Sequence, residues 1–518
     1  MELIKRIILI LMCFFLAACE RKPNSEELSL ALEKKLKDTF GSNVFKVVKL
    51  NRMGSAIDST APSNENRRVV YYDVILETNK NIDLGAWDQP GAAALVTLMG
   101  AGPRSIIGVN SSGNKSGDKI TAHASAIYRK SGNNWERVSS AGYSSEDAMF
   151  LGIHKPATER LLSTLNTITT SIPYTSSKTA QKVVQQELER SVTRINGRLA
   201  RLQDGYPFAG GPNKGEYLVF AQSLADVTQR QQVKMIPLVT SGSTENIDLL
   251  RSGNATIGLA PANIALMAYN GTGPFEGYGP FTELRTLGSL YPELAHIIVR
   301  QESDIKKVAD LRGKKISLGP AGSGGRATME QILAAHGLRA HKDYKVIDSI
   351  FTASLQQLDK EEIDAVTQII GVPASPLRAA MSQSNLRILP LEPLSVKKLI
   401  QNNPSLLSLN IAGGTYSNQN KKIPTVGTAA LMLTTSELTK AEAENIANAI
   451  YNAGQYLLAA GSAQGAQVSV TTSKICLTVP IHTGADEALR KIAHTALPRA
   501  VLPRKIQKQP LNNMDISN

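Results

Sequence analysis

The 518-residue sequence predicts an α/β protein with parallel sheets, preceded by a small α+β domain and a helical connector. Three observations carry that expectation. Beyond Gly205, short apolar strands alternate with helices, and three glycine-rich turns stand where an extended segment hands over to a helix. Before residue 150, one amphipathic helix is followed only by strand-like runs.

The chain opens with Lys5 and Arg6, continues through the apolar stretch Ile7 to Leu16, and reaches Leu16-Ala17-Ala18-Cys19. These are the three regions of a secretory signal, with small residues before the cut. A cysteine at the cut marks a lipoprotein signal, so residues 1–18 are expected to leave and Cys19 to carry lipid. The apolar run is shorter than the roughly 20 residues a spanning helix needs. Two or three acyl chains anchor firmly, because each buried methylene contributes about 0.8 kcal/mol. Removing residues 1–18 takes away Lys5, Arg6 and Glu2 and leaves 55 basic and 43 acidic residues, a net charge of +12. That charge is spread along the chain and aromatics make up only 5% of it, which argues against a nucleic-acid interface and for acidic headgroups or small anions as partners. Of three cysteines only Cys476 remains, in the apolar setting Ile475-Cys476-Leu477, so no intrachain disulfide or thiolate metal site is expected, and Cys476 reads as a buried small hydrophobe.

Residues 19–150 are expected to form the small α+β domain. Leu28, Leu32, Leu36 and Phe40 recur every four residues up to Gly41. Strand-like stretches follow at Val44–Leu50, Val69–Leu76, Ile120–Arg129 and Trp135–Val138, whereas Gly91–Gly102 is too rich in Gly and Ala to assign. His123 has no second metal-type residue at useful spacing and reads as a packed or surface residue. Residues 151–204 form the connector. Its second half puts Val184, Leu188, Val192, Ile195, Leu199 and Leu202 on one helical face, a stripe that either packs onto a neighbouring domain or seams a coiled coil.

From 205 to 502 the chain reads as strands at Lys234–Val239, Ala255–Ala260, Leu294–Val299 and Lys315–Leu318, with helices at Gly215–Gln229, Ser243–Arg251 and Arg326–His336. The three turns are Gly210-Gly211-Pro212-Asn213-Lys214-Gly215-Glu216-Tyr217, Ser241-Gly242-Ser243-Thr244-Glu245-Asn246 and Gly319-Pro320-Ala321-Gly322-Ser323-Gly324-Gly325-Arg326. Ligands in α/β sheets bind at the carboxyl ends of strands, and a helix start offers free N–H groups to an anion. Converging, the three turns would make an anion pocket without a metal or cofactor. Singly, each is a common turn: Ser243 could be the N-cap of its own helix. The third lacks the Lys-Ser/Thr of a P-loop, having Arg326 instead. The histidines at 296, 336, 341, 482 and 494 have no motif pairing them with Ser243 or Ser323, so no catalytic set is expected. Residues 503–518 read as an unstructured tail.

From Gly210 to Tyr456 the sequence resembles the solute-binding proteins of TRAP transporters, in their TAXI branch. The landmarks run in order: Gly215 and Tyr217; Gly242 to Asn246; Leu249-Leu250-Arg251-Ser252-Gly253; Leu287-Gly288-Ser289-Leu290-Tyr291-Pro292-Glu293; Ala309 to Lys315 leading into Gly322-Ser323-Gly324; Ile363-Asp364-Ala365; Gly371-Val372-Pro373; and Gly413-Gly414-Thr415-Tyr416. The resemblance implies a two-lobed, type II periplasmic-binding-protein-like fold. In it, hinged lobes close on a small carboxylate or amino acid and hand it to membrane permease subunits. The second lobe is expected at about 303–424. Carried over by position, Tyr217, Ser243 and Asn246 of the first lobe would face Ser323, Gly324 and Gly371 of the second, with Tyr416 a weaker contact. Arg326 is either a carboxylate clamp or a solvated helix residue. Pro261-Ala262-Asn263 replaces the family's usual Gln-Ser-Asp and Gly325 its usual threonine, which makes the pocket less polar. The domain before residue 150 also leaves room for an envelope interaction protein that reuses the fold. Glu20 resembles residues that permit outer-membrane sorting, whereas a permease-coupled receptor must reach the inner membrane.

Overall fold

The computed structural model describes residues 24–139 and 178–496, apart from 59–60, 62–64, 88, 111–112, 133, 214 and 321–322. The export signal, Cys19, the first half of the expected connector and the tail from 503 lie outside the described residues. Among the described residues no helix is long and apolar enough to cross a membrane.

Helix α1 (Ser25–Phe40) starts in a capping box, in which the Asn24 side chain accepts from the Glu27 N–H while the Glu27 carboxylate accepts from the Asn24 N–H. Its buried stripe of Leu28, Leu32 and Leu36 lies on an antiparallel sheet of β1 (Phe45–Ile57), β2 (Arg67–Thr78), β3 (Ala101–Ile107), β4 (Lys119–Ser131) and β5 (Asn134–Ser139). Period-two alternation sends Val70, Tyr72, Val74 and Leu76 of β2, and Ile120, Ala122, Ala124 and Ala126 of β4, into the same core. Each large apolar side chain so buried contributes about 1.5–3 kcal/mol, enough for a helix and sheet that would not persist apart. The stretch that resisted assignment from sequence is helix α2 (Ala92–Met99), every residue of it buried, ended by Gly100 in the left-handed region at φ 67°. His123 is exposed on β4 and pairs with Asp73 at 2.6 Å.

Helix α3 (Lys178–Asp204) is the described part of the connector. Of the described side chains on its expected apolar face, Val192 is fully buried, Val184 and Leu188 are half-buried and Ile195 and Leu199 are exposed. Charge does the rest of the docking. Arg201 forks onto Glu442 with Nε at 2.9 Å and Nη2 at 3.2 Å, and Arg194 reaches Glu437.

The remainder is two α/β lobes sharing one continuous sheet. The first holds β6 (Tyr206–Gly211), β7 (Met235–Val239) and β8 (Ile257–Pro261), with β6 parallel to both neighbours, and helices α4 (Glu216–Gln229), α5 (Ser243–Arg251) and α6 (Ala262–Asn270). The chain then enters β9 (Leu284–Arg300) and builds the second lobe from β10 (Lys315–Ser317), β11 (Lys345–Ile347), β12 (Ala365–Gly371), β13 (Leu386–Ile388) and β14 (Leu407–Ile411). Helices α7 (Gly324–Ala335), α8 (Phe351–Asp359), α9 (Ser375–Gln383) and α10 (Pro393–Gln401) cover it. It returns on β15 (Ile423–Thr435) and closes the first lobe with α11 (Lys440–Tyr451) and α12 (Thr483–Ala496).

Strands β9 and β15 are what the lobes share. They run antiparallel, with Leu284 opposite Thr435 and Leu294 opposite Gly427. At one end β8 pairs with Ala430–Leu433 of β15; at the other, β12 pairs with Glu293–Ile298 of β9 and β14 with Ile423–Gly427. The chain therefore changes lobe inside these strands, near Tyr291–Glu293 and again near Gly427–Ala430. The end of β9 pairs with β12 and β13, just ahead of the second lobe expected from about 303.

Candidate functional site

All three glycine turns fold as strand-to-helix handovers, and the first two lie at the carboxyl ends of β6 and β7. In the first, the Gly215 N–H donates to Pro212 O at 2.8 Å, and a Cβ at Gly215 would come within 2.9 Å of that same oxygen, so only glycine fits. The following turn presents Glu216 and Tyr217. In the second, Gly242 at φ 140° is the N-cap of α5, and Ser243 is its first helical residue. Ser243 is thus not the N-cap, and its hydroxyl carries no capping bond. In the third, Ser323 is the N-cap of α7 without a side-chain capping bond, and Gly324 opens the helix.

Two of the sequence-derived contacts are committed elsewhere. Asn246 is fully buried: its amide nitrogen donates to Gly210 O at 2.6 Å and Leu259 O at 2.8 Å, while its carbonyl accepts from Thr240 Oγ1 at 2.6 Å. It ties the ends of β6, β7 and β8 together and so positions the turn. Arg326 pairs with Glu330 at 3.1 Å and Asp348 at 2.5 Å, so its guanidinium fork is already engaged by acids of its own lobe.

The polar groups that do converge lie where β9 changes lobe. Tyr217 Oη donates to Glu293 Oε2 at 2.7 Å. Gly371 is the register partner of Glu293 across the β9/β12 ladder, and a Cβ there would approach the Tyr291 ring edge to 3.2 Å and Gln464 to 2.8 Å. Gln464 Nε2 donates to Pro373 O at 3.0 Å. Glu216, beside Tyr217, reaches across to the second lobe, where its Oε1 accepts the Ser375 N–H at 3.0 Å at the start of α9 and the Arg378 charge acts on it. A second bridge joins Asn263 Nδ2 of α6 to Thr328 Oγ1 of α7 at 2.6 Å, so the departure at Pro261-Ala262-Asn263 supplies a contact between lobes.

Burial sets the electrostatics. It pushes the Glu293 carboxyl up to about 7 against the pull of the Tyr217 hydroxyl. The Tyr217 and Tyr291 phenols are raised well above their ordinary range, first by burial and then by Glu293. Glu216 is raised by burial and Arg378 lowered by it.

Tyr416 sits in a second cluster, coupled to the first through Glu216 and Arg378. It is fully buried, and its hydroxyl accepts the Ala374 N–H at 3.1 Å and meets His296 Nε2 at 2.9 Å; His296 Nδ1 lies 2.8 Å from Leu294 O. Nδ1–H therefore donates to the carbonyl, and Nε2 accepts from Tyr416. Burial lowers the His296 pKa to about 4, consistent with a neutral ring. Cys476 donates its thiol to Ser405 O at 3.3 Å, and burial pushes it up, away from a reactive thiolate.

The sequence reading missed Glu216, Tyr291, Glu293, His296, Arg378 and Gln464. Two signals were present: Glu216 adjoins Tyr217 in a turn already singled out, and Tyr291 and Glu293 end a quoted landmark.

The fold and this junction define a two-lobed α/β protein with polar groups gathered where the lobes meet. The chain belongs to the NMT1-like family, whose model matches residues 208–491. Similar solved structures include the periplasmic aliphatic sulphonate binding protein SsuA of Escherichia coli, at 16% identity over 55% of this chain and 78% of that one, TM-score 0.34. The alkanesulfonate-binding protein SsuA of Xanthomonas axonopodis pv. citri bound to MOPS is 15% identical over 56% of this chain and 91% of that one, TM-score 0.32. A putative L-cystine ABC transporter protein of Listeria monocytogenes is 13% identical over 51% and 98%, TM-score 0.33. Likeness of this degree transfers no ligand.

Proposed function

We propose that the protein is an extracytoplasmic solute-binding lipoprotein of the TAXI branch of TRAP transporter receptors. In this reading it is tethered by lipid on Cys19, captures a small organic anion between its lobes, either a carboxylate or an amino acid such as glutamate, and delivers it to membrane permease subunits. The observation that supports it best is the convergence at the β9 crossing: Tyr217 from the first lobe, Gly371 from the second and Glu293 on the strand they share meet at one point. A ligand held there would touch both sides of the hinge, so binding would favour the closed arrangement. Ser243, Ser323 and Gly324 belong to this proposal as helix-start donors at the cleft. Asn246 acts behind them, and Arg326 and Tyr416 have roles in the scaffold. Thermal denaturation of the full-length chain with small carboxylates and amino acids tests it. A bound solute at 100 times its Kd adds about 2.7 kcal/mol, so a saturable rise in Tm is expected, and a flat response to every solute sinks the reading.

A second reading, an envelope interaction or sensory lipoprotein, has one specific observation in its favour. The N-terminal domain touches both lobes. Arg67 Nη1 donates to Ser382 O of the second lobe at 3.3 Å, and a Cβ at Gly414 would meet Thr39 and Leu98 at 3.0 Å. Leu458 and Ala466, in the chain that returns along the first lobe, enter the N-terminal core. A groove of about 770 Å³ lies between, lined by Trp87 and Phe40 on one side and Leu409 and Ile475 on the other. Capture from detergent-solubilised membranes separates the readings: recovery of a permease supports transport, and recovery of a signalling protein supports the alternative.

A further inference from the structure

The cleft holds a buried carboxylate whose charge nothing beside it balances. Glu293 is 6% exposed, and among the described residues its side chain has one hydrogen-bond partner, the Tyr217 hydroxyl. Among the described residues Arg378 acts on Glu216, whose Oε1 also takes the Ser375 N–H, and no cation acts on Glu293. Two residues before Glu293, on the same face of β9, Tyr291 is 1% exposed and its hydroxyl has no hydrogen-bond partner. Glu293 and Glu216 both oppose ionisation of that phenol, and its ring edge lies beside Gly371, the register partner of Glu293, where a Cβ would approach it to 3.2 Å. A buried hydroxyl left without a partner is costly, and a buried carboxylate without a cation more so. One group cancels both deficits: a protonated amine donates to Glu293 and to the Tyr291 oxygen at once and brings the missing positive charge.

We infer that Tyr291 and Glu293 form an ammonium subsite, so that the solute of this cleft carries a protonated amine and is an amino acid rather than a nitrogen-free carboxylate. The inference rests on the solute-binding reading and narrows it. Tyr217 orients the Glu293 carboxylate, and the missing side chain at Gly371 is what lets Gln464 and the Tyr291 ring pack against this strand.

The test compares matched solutes on the full-length chain purified in detergent. Pools of the common L-amino acids and, separately, succinate, glutarate and 2-oxoglutarate are screened by thermal shift, and any hit is titrated calorimetrically. At least one amino acid is expected to bind while the nitrogen-free acids do not. Glu293→Gln keeps the shape and the Tyr217 contact but removes the charge, and is expected to weaken that amino acid at least tenfold; Tyr291→Phe should weaken it severalfold. A nitrogen-free acid binding as tightly as any amino acid, or unchanged amino-acid affinity in Glu293→Gln, overturns the ammonium subsite and leaves the receptor reading standing. Binding of no solute from either set removes the receptor reading and this inference with it.

Discussion

Two buried polar clusters lie three residues apart on strand β9, and their bookkeeping differs. Around His296 every polar group is matched: the ring donates to Leu294 O and accepts from Tyr416, which accepts from Ala374. Around Glu293 a carboxylate leans on one hydroxyl and a neighbouring phenol has no partner. A saturated cluster fixes the position of the chains it joins, whereas an unsaturated one can take a further partner, an ordered water or an incoming group. The contrast favours reading the first as scaffold and the second as the proposed recognition site.

Tyr416→Phe attacks the saturated cluster and should have the largest effect. It strands both His296 Nε2 and the Ala374 N–H, at about 1–3 kcal/mol per orphaned group, so a loss of about 3 kcal/mol in chemical denaturation is expected. A neutral result would place Tyr416 outside the scaffold. Glu293→Gln should do the opposite, and its effect should depend on pH. Because the native pKa of about 7 lies above the ordinary carboxylate value of 4.5, the native state binds the extra proton. The stability this confers is full below pH 4.5 and is lost as pH rises through 7. The variant is therefore expected to match the wild type near pH 4.5 and exceed it by on the order of 3 kcal/mol at pH 8, from a shift of about 2.5 units at 1.36 kcal/mol each. His296 contributes in the reverse direction, its lowered pKa costing stability as pH falls below 6.5 towards 4.

Asn263→Ala cuts the bridge to Thr328 and should cost about 1–2 kcal/mol. Hydrogen exchange should then quicken at the first turns of α6 and α7; unchanged exchange would mean that other contacts hold the lobes together. Arg326→Ala is expected to change least, within about 1 kcal/mol in stability and without loss of solute affinity, because its ion pairs lie at the surface. A large loss of affinity would return Arg326 to the cleft.

The fold class was legible in the sequence because period and punctuation agree: Ser243–Arg251 is a helix at the residues read from its pattern, and the leucines of α1 are buried as their spacing implied. What was not legible had two causes. Helix α2 is built from Ala and Leu between glycines, so it has no polar face to reveal a period. Strand β9 was read only at Leu294–Val299 because it is buried along nearly its whole length and does not alternate. The site suffered most from distance. Tyr217 and Glu293 lie 76 residues apart, and Glu216 and Ser375 159 apart, so nothing local announces either pair. Asn246 and Arg326 looked like ligand contacts by position; their hydrogen bonds to Leu259 and Asp348 come only with the fold.

The straddling of both lobes by the N-terminal domain has a mechanical consequence. If the second lobe swings about β9 and β15, the anchor of Arg67 on Ser382 travels with it, while the seat of Leu458 and Ala466 stays with the first. One of the two must give way, or the domain must turn. Any closure of the lobes would therefore load one of these contacts or turn the N-terminal domain, whose described part begins at Asn24, five residues after Cys19.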